Sequence, residues 1–247
     1  MTIFHQVQGT GPALLFVHAG VGDSRMWAAQ RDDLAKDHQV VTLDLRGYGE
    51  TPLPPGTKYS DADDVLAVLD ALGLETVTAV AASYGANVAL QAASHKPERF
   101  NRLVLFSPPL DGVDATDDLR AFAGQENALL EAGDIDGATE LNVRTWLGPE
   151  AGEDARALVT EMQAHAFRVQ IAAGDDIENA DYEVQPERIT VPVTVYDGAH
   201  DLEFFHDTTK FLAGALPNAE LVTLPWAGHL AALERPDETT ALIRAAL

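Results

Sequence analysis

The sequence predicts a doubly wound, mostly parallel α/β sheet interrupted by an all-helical cap insertion. Three observations carry this expectation. Short apolar runs, rich in β-branched residues, recur along the chain, as strands buried on both faces require. Helical stretches separate them in a regular β/α rhythm, which crossover connections turn into parallel neighbours. The rhythm lapses once, between about residues 108 and 189, where three helical patterns follow one another with no convincing strand. Residues 1–107 and 190–247 are therefore expected to form the core, and residues 108–189 the cap.

In chain order, the predicted strands begin with Ala13–Val17 and Gln39–Leu43. A Pro-rich loop at Pro52-Leu53-Pro54-Pro55-Gly56 then gives way to a helix from Asp61 to Leu72. Thr76–Val80 reads as the next strand, with Ala86 to Ser94 as its helix, and Arg102–Phe106 closes the first half. Within the insertion, apolar stripes mark the three helices: Leu119, Phe122, Leu129 and Leu130; then Ile135, Ala138, Leu141 and Trp146; then Leu158, Met162, Ala166, Phe167 and Ile171. Gly148-Pro149 closes the second and Gly174 the third. Val191–Tyr196 and Glu220–Leu224 resume the sheet. Because an intact strand follows, the insertion reads as a lid over the carboxyl ends of the strands, where open α/β sheets bind ligands, rather than as helices that complete the core.

A formal net charge of −23, from 39 acidic against 16 basic residues, is the strongest compositional bias. The acids are spread along the chain, so they describe a solvated surface and not a tail. Such a surface repels phosphates and excludes nucleic acid as a partner. There is no cysteine, hence no disulfide, thiolate metal site or cysteine nucleophile. The N-terminal residues lack the basic start and apolar stretch of a signal peptide, and no run is long enough to span a bilayer. The expectation is a soluble, cytoplasmic protein whose partner is a small molecule; oligomeric state is not legible.

Chemistry concentrates where strands end. Ser83 follows an apolar run and is flanked by Ala81 and Gly85, small residues that let a helix fold back over the strand and expose a nucleophile at a strained turn. His18-Ala19-Gly20-Val21-Gly22 offers backbone N–H groups to an anion, or else a plain glycine turn. A dinucleotide site is excluded, because Arg25 stands where a third glycine belongs and Gly47-x-Gly49 runs into Pro52. Asp44 and Arg46 read as a loop-bracing charge pair. Asp201 lies beyond the strand ending at Tyr196, and His229 beyond the last strand, in the chain order serine, acid, histidine. His200, Asp201, His206 and Asp207 lack metal-site spacing, so no metal and no cofactor is expected.

Taken together, His18-Ala19-Gly20, Asp44 to Thr51, Ala81 to Gly85, Gly198 to Asp201 and Gly228-His229 resemble, in order, the motifs of the α/β-hydrolase superfamily in its serine-hydrolase branch. The departures are Ala19 and Ala81 for glycine and Thr51 for serine. The resemblance covers nearly the whole chain and implies a capped hydrolase similar to esterases, enol-lactonases and C–C bond hydrolases. It implies Ser83 as nucleophile, His229 as general base, Asp201 as its orienting acid, and the amides of Gly20 and Tyr84 as the oxyanion hole. A serine there excludes the dehalogenase and epoxide-hydrolase branches, which use aspartate. Asp111, after the preceding strand, is the alternative acid. A cofactor-free perhydrolase or haloperoxidase-type activity and a non-catalytic receptor on the same fold are the alternative functions. Trp27 and the cap residues Phe122, Trp146, Met162 and Phe167 are candidate pocket residues, suited to a neutral, modestly sized substrate.

Overall fold

The computed structural model describes residues 2–247, and in it the predicted runs become strands whose boundaries are kept or shifted by at most two residues. In chain order the strands are β1 (His5–Gln8), β2 (Ala13–Val17), β3 (Gln39–Leu43), β4 (Lys58–Tyr59), β5 (Val77–Ala82), β6 (Phe100–Phe106), β7 (Glu178–Asn179), β8 (Val193–Gly198) and β9 (Ala219–Leu224). The helices are α1 (Ala28–Leu34), α2 (Asp61–Ala71), α3 (Tyr84–His95), α4 (Asp117–Glu131), α5 (Ile135–Trp146), α6 (Glu153–Ala173), α7 (Glu203–Ala215), α8 (Ala231–Glu234) and α9 (Pro236–Ala246). The main sheet has seven strands in the order β1-β3-β2-β5-β6-β8-β9. All neighbours are parallel except β1 and β3.

Alternation along each central strand divides the apolar residues between two layers. On β2, Leu15 and Val17 face a cluster completed by Val65 and Leu69 of α2 and Val88 and Leu90 of α3. Leu14 and Phe16 face the opposite layer, with Leu34 of α1, Ile243 of α9 and Trp27. Helix α2 starts where Ser60 accepts the Asp63 N–H at 3.3 Å, and Asp61, Asp63 and Asp64 in its first turn complement the helix dipole.

Helices α4, α5 and α6 lie between β6 and β8 in sequence and pack on one another in succession. Their tie to the core includes the Asp118 carboxylate, which accepts the Glu203 N–H at the start of α7 at 2.8 Å. The stretch is not wholly free of strand. At its far end β7 forms a two-residue parallel pair with β4, a pairing too short to leave a period in the sequence. Edge strand β1 also escapes the sequence reading, because most of its residues are solvent-exposed and it carries no apolar run. Among the described residues, no helix is long and apolar enough to cross a membrane.

Candidate active site

Ser83 stands between β5 and α3 with φ 49° and ψ −123°. This region is costly for a residue with a Cβ, and strain of about 1–3 kcal/mol is sustained only where packing enforces it. Here both sides are enforced. Ala81 is fully buried in β5, and Gly85 sits so close to the neighbouring strand end that a Cβ there would collide with the carbonyl of His18. The Ser83 N–H donates to Phe106 O at 2.8 Å, which ties the turn to β6. Ser107, at the end of β6, is the other non-glycine residue with positive φ among those described.

His229 and Asp201 arrive from the loops after β9 and β8. Asp201 Oδ2 lies 2.7 Å from His229 Nδ1, and both side chains are buried. The other Asp201 oxygen accepts the Leu202 N–H at 2.8 Å. Asp111, by contrast, is exposed at the start of the insertion. The two loops touch through glycine backbones, since a Cβ on Gly198 would strike Gly228 O. A residue absent from the sequence reading anchors the histidine loop. Glu234 of α8 is buried and accepts the N–H of Gly228 at 2.9 Å and that of Leu230 at 3.3 Å, with the Gly148 N–H as a third donor. Burial pushes its carboxyl above the usual range, while these donors and the nearby His229 pull it back. From the insertion, Trp146 O accepts the His229 N–H at 3.2 Å. The imidazole itself packs against the rings of Phe205 at 4.3 Å and Trp146 at 4.7 Å between centroids.

The loop after β2 is shaped by a buried histidine. His18 Nε2 accepts the Leu45 N–H at 2.9 Å, so its proton resides on Nδ1, which donates to Ala19 O at 2.8 Å. Burial is the main cause lowering the His18 pKa, which agrees with a neutral ring. Gly20 lies against Tyr84, where an added Cβ would come within 3.4 Å of the Tyr84 Cβ. As the first residue of α3, Tyr84 has an amide without an intrahelical acceptor, and neither it nor Gly20 donates to a loop carbonyl. The Tyr84 side chain donates to buried Asp61, whose carboxyl is pushed up to about 6, chiefly by burial. Asp44 and Arg46 do brace the next loop, but through other partners. Asp44 accepts the N–H groups of Ser24 at 2.7 Å and Glu50 at 2.8 Å, and Arg46 pairs with Asp64 of α2 at 2.5 Å.

Ser83, Gly20 and His229 open onto one cavity of about 260 Å³ beneath the three insertion helices. Phe122, Trp146 and Phe167 line it as the sequence suggests, and Phe205 of α7 joins them. Trp27 and Met162 do not. Trp27 is fully buried in the core layer, with its ring 5.1 Å from Phe16, and Met162 is buried beside Gly22 of the loop after β2. Polar side chains also line the cavity: Tyr48, Glu126, Asn142, Gln163 and Gln170. None stood out in sequence, because each reads as an ordinary polar position of a loop or amphipathic helix. Arg120, Arg144, Arg156 and Arg168 all lie outside the lining. A larger groove of about 740 Å³, between Arg25 and Arg168, holds neither Ser83 nor His229. Among the described residues, no group of three His, Asp or Glu side chains is placed to hold a metal ion; His206 pairs with Asp197 at 2.7 Å.

Known proteins resemble this chain along nearly its whole length. A RutD protein of Caulobacter sp. (strain K31), provisionally named a carbamate hydrolase, is 30% identical over 264 residues, covering 98% of this chain and 94% of its own. The 3-oxoadipate enol-lactonase 2 of Acinetobacter baylyi (strain ATCC 33305 / BD413 / ADP1) is 27% identical over 236 residues, covering 93% of this chain and 86% of its own. The solved structure of Est816, described as an N-acyl homoserine lactone degrading enzyme, superposes with a TM-score of 0.80 at 26% identity, covering 99% of this chain and 96% of that one. The sequence profile of the alpha/beta hydrolase fold matches residues 12–236. The chain is a hydrolase and belongs to the α/β-hydrolase family.

Proposed function

We propose that the protein hydrolyses a small, neutral carboxylic ester or lactone through an acyl-enzyme on Ser83. The observation that carries this reading is the strained Ser83 sharing one cavity with His229, whose Nδ1 is 2.7 Å from Asp201. An ionised Asp201 can only accept, so the imidazole proton lies on Nδ1 and Nε2 is left as the base. Nε2 takes the Ser83 hydroxyl proton as Oγ bonds to the substrate carbonyl carbon, and the carbonyl electron pair moves onto oxygen. The amides of Gly20 and Tyr84 receive that oxyanion, an interaction worth about 3 kcal/mol per donor in such sites. As the tetrahedral intermediate collapses, the imidazolium returns its proton to the leaving alcohol. Water then attacks the acyl-enzyme along the same proton path and releases the acid and Ser83.

Neutrality of the substrate is supported by the cavity's charge. No arginine or lysine lines it, Glu126 does, and the surrounding protein carries −23. The curated enol-lactonase and the solved lactone-degrading enzyme act on the same bond class, which favours an ester or lactone carbonyl. The test is covalent. An organophosphate should phosphorylate Ser83 and no other serine, and Ser83→Ala should lower turnover of a p-nitrophenyl ester by several orders of magnitude with the melting temperature retained. Labelling elsewhere, or turnover that survives the substitution, overturns it.

A further inference from the structure

The insertion side of the cavity carries a set of hydrogen-bonding groups that the acyl-transfer chemistry does not use. Glu126 of α4 accepts Asn142 Nδ2 at 2.5 Å. Asn142 is committed on every side, since its Nδ2 also donates to Ala138 O at 2.9 Å and its Oδ1 accepts Trp146 Nε1 at 2.8 Å. The chain of contacts therefore locks the Glu126 carboxylate in place on the cavity wall through one oxygen. Gln163 of α6 is on the same wall and only 4% exposed; its Oε1 is sealed off without a hydrogen-bond partner, and its Nε2, which donates to no protein group, is the donor the side chain offers the cavity. A polar group left unpaired away from water costs about 1–3 kcal/mol, which a ligand acceptor bound to Nε2 would offset. Glu126 is an acceptor and Gln163 Nε2 a donor, and no arginine or lysine lies on the lining to occupy the carboxylate. Tyr48 and Gln170, also on the lining, already bond to each other.

The geometry points to substrate selection by these two groups: Glu126 receives an N–H on the acyl portion and Gln163 Nε2 donates to the carbonyl beside it, so that the substrate is an ester or lactone bearing a carboxamide or carbamate-like NH rather than a plain aliphatic or carboxylated one. A fixed carboxylate can accept from an N–H, repels a substrate carboxylate, and offers a methyl group nothing in return for its lost hydration. A site built around such a bond discriminates against the analogue that lacks it, because its own polar groups are then left unpaired. The inference rests on the acyl-transfer reading for the orientation of the substrate, but the selection itself is a matter of binding.

Three esters of equal heavy-atom count test it: methyl succinamate, methyl levulinate and monomethyl succinate, which end in NH₂, CH₃ and O⁻. Dissociation constants are measured by calorimetric titration of the Ser83→Ala protein, and turnover of the wild type is followed in a pH-stat. Methyl succinamate is expected to bind at least about tenfold more tightly than methyl levulinate, with monomethyl succinate weakest. In Glu126→Leu the succinamate-to-levulinate ratio should contract severalfold, whereas Glu126→Gln, which keeps an acceptor, should retain part of it, and Gln163→Leu should weaken both esters alike. If Glu126→Leu does not fold, Glu126→Gln carries the test, because it keeps an acceptor for Asn142 while removing the charge, so that monomethyl succinate should gain on both other esters. Equal affinity for the amide and the ketone, or preference for the carboxylate, overturns the inference. Absence of Ser83-dependent turnover for all three overturns the acyl-transfer reading instead, while the ranking of dissociation constants still decides the selection.

Discussion

Glu234 accepts the N–H of Gly228 at 2.9 Å, one residue before His229, and thereby holds the histidine loop from behind. The same carboxylate takes amides from Leu230 and from Gly148 at the end of the insertion, so one buried acid joins the sheet loop to the cap. Glu234→Ala leaves those amides buried without an acceptor, and a cost of about 2–5 kcal/mol is expected in urea unfolding. Glu234→Gln keeps one acceptor oxygen and should recover part of that loss. On the proposed mechanism this loop carries the base, so kcat should fall more than KM rises in both variants. A KM effect alone would contradict a positioning role.

The identity of the acid is decided by a ranking. Asp201 touches His229 at 2.7 Å, whereas Asp111 is solvent-exposed. Asp201→Asn is expected to lower kcat by about 10³–10⁴-fold, as loss of the tautomer-fixing carboxylate does in other triads. Asp111→Asn should change it by less than about twofold. Steady-state kinetics on one activated ester checks both, and the reverse order would move the acid to the cap boundary.

Asp61 gives a pH signature. Buried beside Tyr84, Asn179, Asp64 and Asp181, its carboxyl is pushed from an ordinary 3.8 to about 6, chiefly by burial. In the window between those values the folded state holds a proton that the unfolded chain has released. The folded state therefore binds more protons there, and stability falls as pH rises from about 4 to about 6. At 1.36 kcal/mol per unit, the contribution amounts to about 3 kcal/mol at most. Urea unfolding of the wild type and Asp61→Asn at pH 4 and pH 7 isolates it: relative to the variant, the wild type should lose stability on going to pH 7. A difference independent of pH would refute the assignment.

Charge should also appear in the kinetics. With Glu126 on the cavity wall and a net charge of −23, a carboxylated ester approaches uphill. At low salt, kcat/KM for methyl levulinate should exceed that for monomethyl succinate, and the gap should narrow at about 0.5 M NaCl as the surface field is screened. A preference for the carboxylated ester would demand a cation that the cavity lining lacks.

Much of this molecule is legible in its sequence. Ala13–Val17 and Gln39–Leu43 match β2 and β3 residue for residue, because central strands buried on both faces leave continuous apolar runs. Ser83 is legible for a related reason: a turn that forces φ to 49° admits only small neighbours, and Ala81 and Gly85 record that demand locally. His229 and Asp201 follow from the ends of apolar strands. What the sequence could not decide is what each side chain faces. Trp27 and Phe205 are both large aromatics near strand ends, yet one lies in the core and the other on the cavity, because periodicity identifies a buried face without naming what covers it. Arg46 joins Asp64 across a loop and a helix, and Glu234 reaches back to Gly228 and Gly148. Glu126, Asn142 and Gln163 come from three different helices of the insertion, and only their packing turns three ordinary polar positions into one polar wall of the cavity. Local sterics is written along the chain; the partners of long polar side chains are set by which elements the fold brings within 3 Å of each other.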